Sequence, residues 1–244
     1  MVDAYPERVV HVLTLRQDDP DLRAELPHYR SLLDKDEQAR VARFYFDADR
    51  ERFVIGRALV RLQLSRFLGG DPRQWPLITN RYGRPELASP APPPIGFNVS
   101  HTEGLVACAI TATADVGVDV EFTRRRLTHD VAERFFAPRE VAALRTLSRE
   151  DQARAFFDYW TLKEAYIKAR GMGLALPLAH FAFTLRPPEA PVICFDPEID
   201  DDAATWQFAQ SWPTDEHRLG LAVRRPPGRD LEVRIEASVP RVPA

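Results

Sequence analysis

Trp160-Thr161-Leu162-Lys163-Glu164-Ala165-Tyr166-Ile167-Lys168-Ala169-Arg170-Gly171 closes a segment that reads as one long helix from about Glu150. Alanine, leucine and long unbranched side chains favour the helix, and Gly171 with Gly173 supplies its stop. Ala155, Tyr159, Leu162, Tyr166 and Ala169 share one face, and Phe156, Trp160 and Ile167 widen it. A helix apolar over so much of its circumference is expected to be mostly buried. Lys163, Glu164 and Lys168 therefore stand out, because buried charges need partners, a metal or a charged ligand. Glu164 and Lys168 lie one turn apart and face the same way. An exposed ion pair would explain them equally well at this point.

Upstream, Leu105 to Thr111 and Val116 to Phe122 read as strands, paired as a hairpin with Ala114-Asp115 near the turn. Asp119 and Glu121 are two apart on the second strand, so both carboxylates project from one face. Such a pair either decorates a solvated face or awaits a cation. The loop Arg124-Arg125-Arg126 follows and is open to solvent or to an acidic partner. Two short helical patterns, Asp130 to Phe136 and Pro138 to Leu147, lead into the long helix. Beyond it, strands are expected at Phe181 to Leu185, Val192 to Phe195, Thr205 to Ala209, Leu219 to Val223 and Leu231 to Ile235. Pro240 to Ala244 reads as a frayed tail.

Toward the N-terminus, Arg8 to Arg16 alternates as a buried strand, followed by a polar, proline-bounded segment. Asp34 and Glu37 make a capping-box start for a helix running to Phe46, and a longer helix spans Asp49 to Leu68 before Gly69-Gly70. Seven arginines lie between Arg40 and Arg66 against Asp47, Asp49 and Glu51. Arg50, Arg57 and Arg61 share a face that suits either solvent or a polyanion such as a nucleotide phosphate. Asn80-Arg81-Tyr82-Gly83-Arg84-Pro85 is a turn, and Ile95 to Val99 is a strand running into Ser100-His101-Thr102. His101 at that strand end is either structural or a phosphate donor.

The sets beginning at Asp34 and at Pro138, each a short helix followed by a long one among strands, echo one another about a hundred residues apart. The expected architecture is α+β (α/β), a pseudo-two-fold duplication of two similar units, each a small, mainly antiparallel sheet on a long helix. The halves are placed at 1–113 and 114–244, with a ligand expected between them. An apolar share of 45% over 244 residues supports a real core. A net charge of −3 argues against a protein that coats nucleic acid or an anionic membrane. Met1 to Arg8 has no apolar leader and no run is long enough to span a bilayer, so a cytoplasmic protein is expected. Cys108 and Cys194 read as buried thiols.

Asp119, Glu121 and Glu164 together suit octahedral Mg²⁺, and Lys163, Lys168, His101 and the basic helix could neutralise phosphate. That is equipment for transferring a phosphate ester, where positioning and charge neutralisation lower most of the barrier.

These residues carry a resemblance. Gly117-Val118-Asp119-Val120-Glu121 and Trp160 to Ala169 resemble the two signature motifs of the 4′-phosphopantetheinyl transferase superfamily, two-domain Sfp-type branch. Phe97-Asn98-Val99-Ser100-His101-Thr102 resembles the family's substrate-binding strand end, Tyr82-Gly83-Arg84-Pro85 its Gly-Lys-Pro turn, and Arg134-Phe135-Phe136 its pre-helix segment. The ordered set spans roughly Arg40 to Leu174. The resemblance implies transfer of the 4′-phosphopantetheine arm of coenzyme A to a serine of an apo acyl or peptidyl carrier protein, with release of adenosine 3′,5′-bisphosphate. It implies that Asp119, Glu121 and Glu164 hold Mg²⁺ and that Glu164, directly or through a metal-bound water, helps deprotonate the serine. Lys168 would neutralise the phosphate under attack. Lys163, Ser100 and His101 would be further coenzyme A contacts, and Arg43, Arg52 and Arg84 would bind its nucleotide end. Arg84 stands where the family often has lysine, keeping the charge with altered geometry. Arg124, Arg125 and Arg126 are the expected docking patch for the acidic carrier helix. A monomer is expected, acting on neither nucleic acid nor membrane. A non-catalytic coenzyme A or nucleotide-binding module and a metal-dependent nuclease are the competing readings. The first would not need all three carboxylates, and the second lacks a long basic groove.

Overall fold

The computed structural model describes residues 8–81, 83–88, 95–112, 115–125, 131–173, 176–226 and 228–243. They form two units, Met1–Ala114 with Glu232–Ala244, and Asp115–Leu231.

The first unit begins with β1 (Val9–Arg16), then α1 (Pro20–Ser31), α2 (Lys35–Val41) and α3 (Asp47–Leu68). The short strands β2 (Leu77–Thr79) and β3 (Pro85–Leu87) form a hairpin, and β4 (Gly96–Thr102) and β5 (Leu105–Thr111) form another. β5 pairs antiparallel with β1 on its other edge. A strand from the far end of the chain, Glu232–Ala237, pairs parallel with β1 and completes a four-stranded sheet. The polar segment after β1 is helix α1: Pro20 is tolerated in its first turn, and Asp19 caps it by accepting from the Asp21 amide at 2.9 Å. Pro27 lies inside that helix, where burial of Leu22 and Tyr29 outweighs the lost backbone bond. Val54, Ile55, Leu59 and Leu64 of α3 are fully buried and join Leu13, Val106, Cys108 and Ile110 in one core.

The second unit contains β6 (Val116–Phe122), α4 (Val131–Phe135), α5 (Pro138–Arg145) and α6 (Arg149–Arg170). The hairpin β7 (Phe181–Thr184) and β8 (Val192–Phe195) follows, and then β9 (Trp206–Thr214) and β10 (His217–Arg224). β6, β10 and β9 make an antiparallel sheet in that order. The Glu232–Ala237 strand is thus β11 in chain order. Ser148 caps α6 through the Asp151 amide, and Gly171 ends it in the left-handed region with φ of 64°. Gly117 and Gly220 let α6 lie directly on the sheet. A Cβ on Gly117 would come within 2.0 Å of the Ala165 carbonyl oxygen, and one on Gly220 within 2.5 Å of the Thr161 carbonyl oxygen.

Each unit therefore has the expected plan of a small, mainly antiparallel sheet on a 22-residue helix. Three expectations are corrected. β5 and β6 are not a hairpin, because both edges of β5 are taken by β1 and β4, and β6 pairs with β10. Residues 232–244 belong with the first unit rather than the second, because β11 completes the edge beside β1. The tail is not frayed: the Tyr29 hydroxyl donates to the Pro240 carbonyl at 2.7 Å, and Val239 and Val242 pack on the first core.

Candidate active site

Trp160, Glu164 and Lys168 recur every fourth residue and share one stripe of α6. β6 faces that stripe with Gly117, Asp119 and Glu121. The Lys168 ammonium lies 2.6 Å from Asp119 Oδ1, and Trp160 Nε1 donates to Glu121 Oε1 at 2.9 Å. Arg125, at 3.1 Å from the same Glu121 oxygen, braces it from the loop. Helix and strand run in opposite senses, with Gly117 beside Ala165 and Ala169 where the backbones come closest. The close approach through Gly117 brings the lysine within reach of the carboxylate two residues on.

The electrostatics follow from three acids on one face. Burial pushes the Glu121 carboxyl up to about 7, helped by the neighbouring Asp119 charge and opposed by Arg125, the Trp160 hydrogen bond and Lys168. Burial, then Asp119, also raises Glu164, while Lys168 draws it down. The donor set fits a hard divalent cation, since such an ion would relieve this repulsion with the oxygen ligands it prefers. The three carboxylates share a face without closing on a point. Among the described residues, only His180, Asp196 and Glu198 bring three ligand atoms within 4.8 Å of one another.

Lys163 does not stand where the sequence reading placed it. Its ammonium is fully buried, paired with Glu140 at 2.8 Å, and donates to the carbonyls of Leu178 at 2.8 Å and Phe181 at 2.6 Å. An ammonium has three donors and these partners use all three, so none remains for a coenzyme A phosphate. Glu140 is equally engaged, accepting from the amides of Ala137 at 3.0 Å and Phe183 at 2.8 Å. Burial pushes Lys163 down and Glu140 up, and each charge opposes the shift of the other.

Arg57 and Arg61 are corrected in the same way. They are buried against Glu37, with Arg61 at 2.8 Å and Arg57 at 3.4 Å, while Glu37 caps α2 by accepting from the Asp34 amide. Arg50 is turned onto Asp47 and the Phe44 carbonyl.

The remaining first-unit candidates lie on the surface or at its margin. Arg43 is exposed in the turn after α2. Arg52 pairs with Asp49 at 2.6 Å and reaches the Thr102 carbonyl at 3.5 Å, which places it beside the end of β4. Arg84 leaves the β2–β3 turn with its amide held by Asn80 Oδ1 at 3.0 Å, and its guanidinium donates to the Phe97 carbonyl at 3.2 Å. Gly83 supplies the turn's left-handed residue, with φ of 85°. β4 buries Ser100 and turns His101 outward. Arg124 is exposed and lies 3.3 Å from Glu216, whereas Arg126 falls outside the described residues.

The sequence reading missed two partners, Trp160 for Glu121 and Glu140 for Lys163. The indole nitrogen in an apolar stretch and the glutamate three residues into a proline-started helix were the available signals.

Residues 20–113 match a family model described as 4′-phosphopantetheinyl transferase, N-terminal, and residues 115–222 match the 4′-phosphopantetheinyl transferase superfamily. The chain is 36% identical over 216 residues to the 4′-phosphopantetheinyl transferase HetI of Nostoc sp., covering 88% of this chain and 87% of that one. The chain belongs to the 4′-phosphopantetheinyl transferase superfamily. The transferase Sfp of Bacillus subtilis is 32% identical over 168 residues, covering 69% of this chain and 73% of its own. A phosphopantetheinyl transferase of Thraustochytrium sp. is 32% identical over 203 residues, covering 78% and 70%. Within this superfamily member both matched regions are present, and the Asp119, Glu121, Glu164 and Lys168 group falls in the second.

Proposed function

We propose that this transferase moves the 4′-phosphopantetheine arm of coenzyme A onto a serine of an apo acyl or peptidyl carrier protein. Membership of the superfamily supports the reaction class. The observation that carries the residue assignment is the strand and helix face on which Asp119, Glu121 and Glu164 gather with Lys168 at 2.6 Å from Asp119. Asp119, Glu121 and Glu164 would hold Mg²⁺. When bound, the ion neutralises pyrophosphate charge and favours departure of the nucleotide.

The chain's own groups supply the rest. Glu164 is the candidate base for the serine hydroxyl, and burial, the largest cause of its raised pKa, makes its carboxylate a stronger proton acceptor than an exposed glutamate. Lys168 carries the positive charge that meets the phosphate under attack, exchanging its contact with Asp119 for one with substrate. Arg43, Arg52 and Arg84 are the candidates for the nucleotide end, with Ser100 and His101 at the end of β4. Arg124 and Arg125 supply exposed positive charge for an acidic carrier helix, although Arg125 also braces Glu121. No helix among the described residues is long and apolar enough to cross a membrane. A cytoplasmic monomer accords with this reading.

The test is intact-mass spectrometry of an apo acyl carrier and an apo peptidyl carrier, each incubated with the protein, coenzyme A and Mg²⁺, with a chelator control. A metal-dependent gain of one phosphopantetheine mass is expected. Coenzyme A binding without mass gain on either carrier would favour the binding-module reading.

A further inference from the structure

The geometry points to a second metal site, remote in sequence from the carboxylates of the signature motifs. His180, Asp196 and Glu198 bring one imidazole nitrogen and two carboxylate oxygens within 4.8 Å of one another. We propose that they bind a divalent transition-metal ion of the zinc type and clip the end of the β7–β8 hairpin. This inference does not depend on the transferase reading.

The backbone holds the three ligands together before any ion arrives. β7 and β8 pair with Phe181 opposite Phe195, and the next rung places His180 opposite Asp196. The Asp196 amide donates to the His180 carbonyl at 2.9 Å, which fixes that rung. The chain then turns at Asp196-Pro197-Glu198-Ile199, closed by the Ile199 amide donating to the Asp196 carbonyl at 3.0 Å. Pro197 presets the second position of this turn, and Glu198 is at the third, so the turn returns its side chain toward Asp196. His180 is half-buried and the two acids are exposed, which leaves room for water to complete a coordination shell. A tetrahedral zinc shell needs ligand atoms about 3.3 Å apart, a contraction that rotation of the exposed Glu198 side chain can supply.

The ligand chemistry selects the metal class. An imidazole with two carboxylates suits zinc and its first-row neighbours, whereas Mg²⁺ prefers oxygen ligands and water. Two carboxylates also match the charge of a divalent ion. The site bears on the rest of the second unit because His180 lies between Leu178 and Phe181, whose carbonyls accept from the buried Lys163 of α6.

The experiment is calorimetric titration of the untagged, chelator-stripped full chain with ZnCl₂ in a buffer containing excess Mg²⁺. One saturable site per chain tighter than about 100 µM is expected, and His180→Ala and Glu198→Gln should each weaken it at least about tenfold. Asp119→Asn should leave it unchanged. The metal-free melting temperature of each variant shows whether it is folded, and Glu198→Gln, on an exposed turn, serves if His180→Ala fails that check. Binding weaker than about 100 µM, or binding that survives Glu198→Gln but is lost in Asp119→Asn, would overturn the proposal. The second outcome would place zinc on the carboxylates of β6 instead.

Discussion

Glu140 holds Lys163 at 2.8 Å with neither side chain exposed. The first unit contains the same device, with Glu37 holding Arg61 at 2.8 Å. In both units the third residue of a short helix caps that helix and neutralises a cation on the following long helix. One carboxylate thus fixes the angle between two helices and satisfies a buried charge, and the cost of burying either charge alone keeps the arrangement paired.

Removing one partner should therefore cost far more than removing both. Lys163→Met is expected to destabilise the fold by about 3–5 kcal/mol, because it leaves Glu140 charged and buried. The double variant Lys163→Met with Glu140→Gln should recover a substantial part of this loss. Urea unfolding of the single and double variants checks it; equal losses in both would show that the pair is not coupled.

The close approach of α6 to β6 makes Gly117 intolerant of any side chain. Gly117→Ala would set its Cβ within 2.0 Å of the Ala165 carbonyl oxygen and 2.4 Å of the Ala169 nitrogen, so the helix must move away. A loss of about 1–3 kcal/mol or more is expected, together with weaker stabilisation by Mg²⁺. Thermal melts with and without Mg²⁺ measure both effects.

Asp201 gives a pH-dependent prediction away from the site. Burial pushes its carboxyl up, but hydrogen bonds from Tyr166, Arg170, Trp206 Nε1 and the Asp202 amide together hold it below its ordinary value. The ionised form is thus favoured by folding. Its contribution is present above the unfolded value near 3.8 and disappears as pH falls through the lower folded value. Asp201→Asn should be less stable than wild type at pH 7, and the gap should narrow in acid below that range. Denaturation at a series of pH values tests this; a gap constant down to complete acid unfolding would contradict it.

For the chemistry, Glu164→Gln and Asp119→Ala should reduce carrier modification by at least about a hundredfold while the protein stays folded. Lys168→Ala should lower kcat more than it raises KM, since its charge acts on the phosphate during transfer. Single-turnover mass spectrometry and circular dichroism distinguish these outcomes from unfolding. A Glu164→Gln variant transferring at the wild-type rate would remove Glu164 from the assignment.

The two long helices and most strands were legible because their signals are local: apolar spacing, Asp34 at a helix start, and Gly171 at a helix end. The spacing of Asp119, Glu121, Glu164 and Lys168 could also be read as one cluster, since strand and helix periods fix which way each projects. What failed depended on contacts distant in the chain. Lys163 looked like a phosphate ligand because its partner, Glu140, lies on the preceding helix, outside the Trp160–Ala169 motif, and Arg57 and Arg61 looked like a basic face until Glu37 was placed against them. The β5–β6 hairpin failed for the same reason, as proximity in sequence could not show that β1 and β4 already occupy both edges of β5. Helix α1 was missed because two prolines obscured its pattern, although only Pro27 interrupts its bonding.

The return of β11 to β1 also imposes an order of events on synthesis. Thr14 donates its hydroxyl to the Glu236 carbonyl across 222 residues of chain. A growing polypeptide must release the whole of Asp115–Leu231 before the edge of its first sheet can close. Until then β1 leaves the ribosome with an open hydrogen-bonding edge, the kind of surface that recruits neighbouring nascent chains. β11 therefore acts as the seal on β1, made more than two hundred residues earlier.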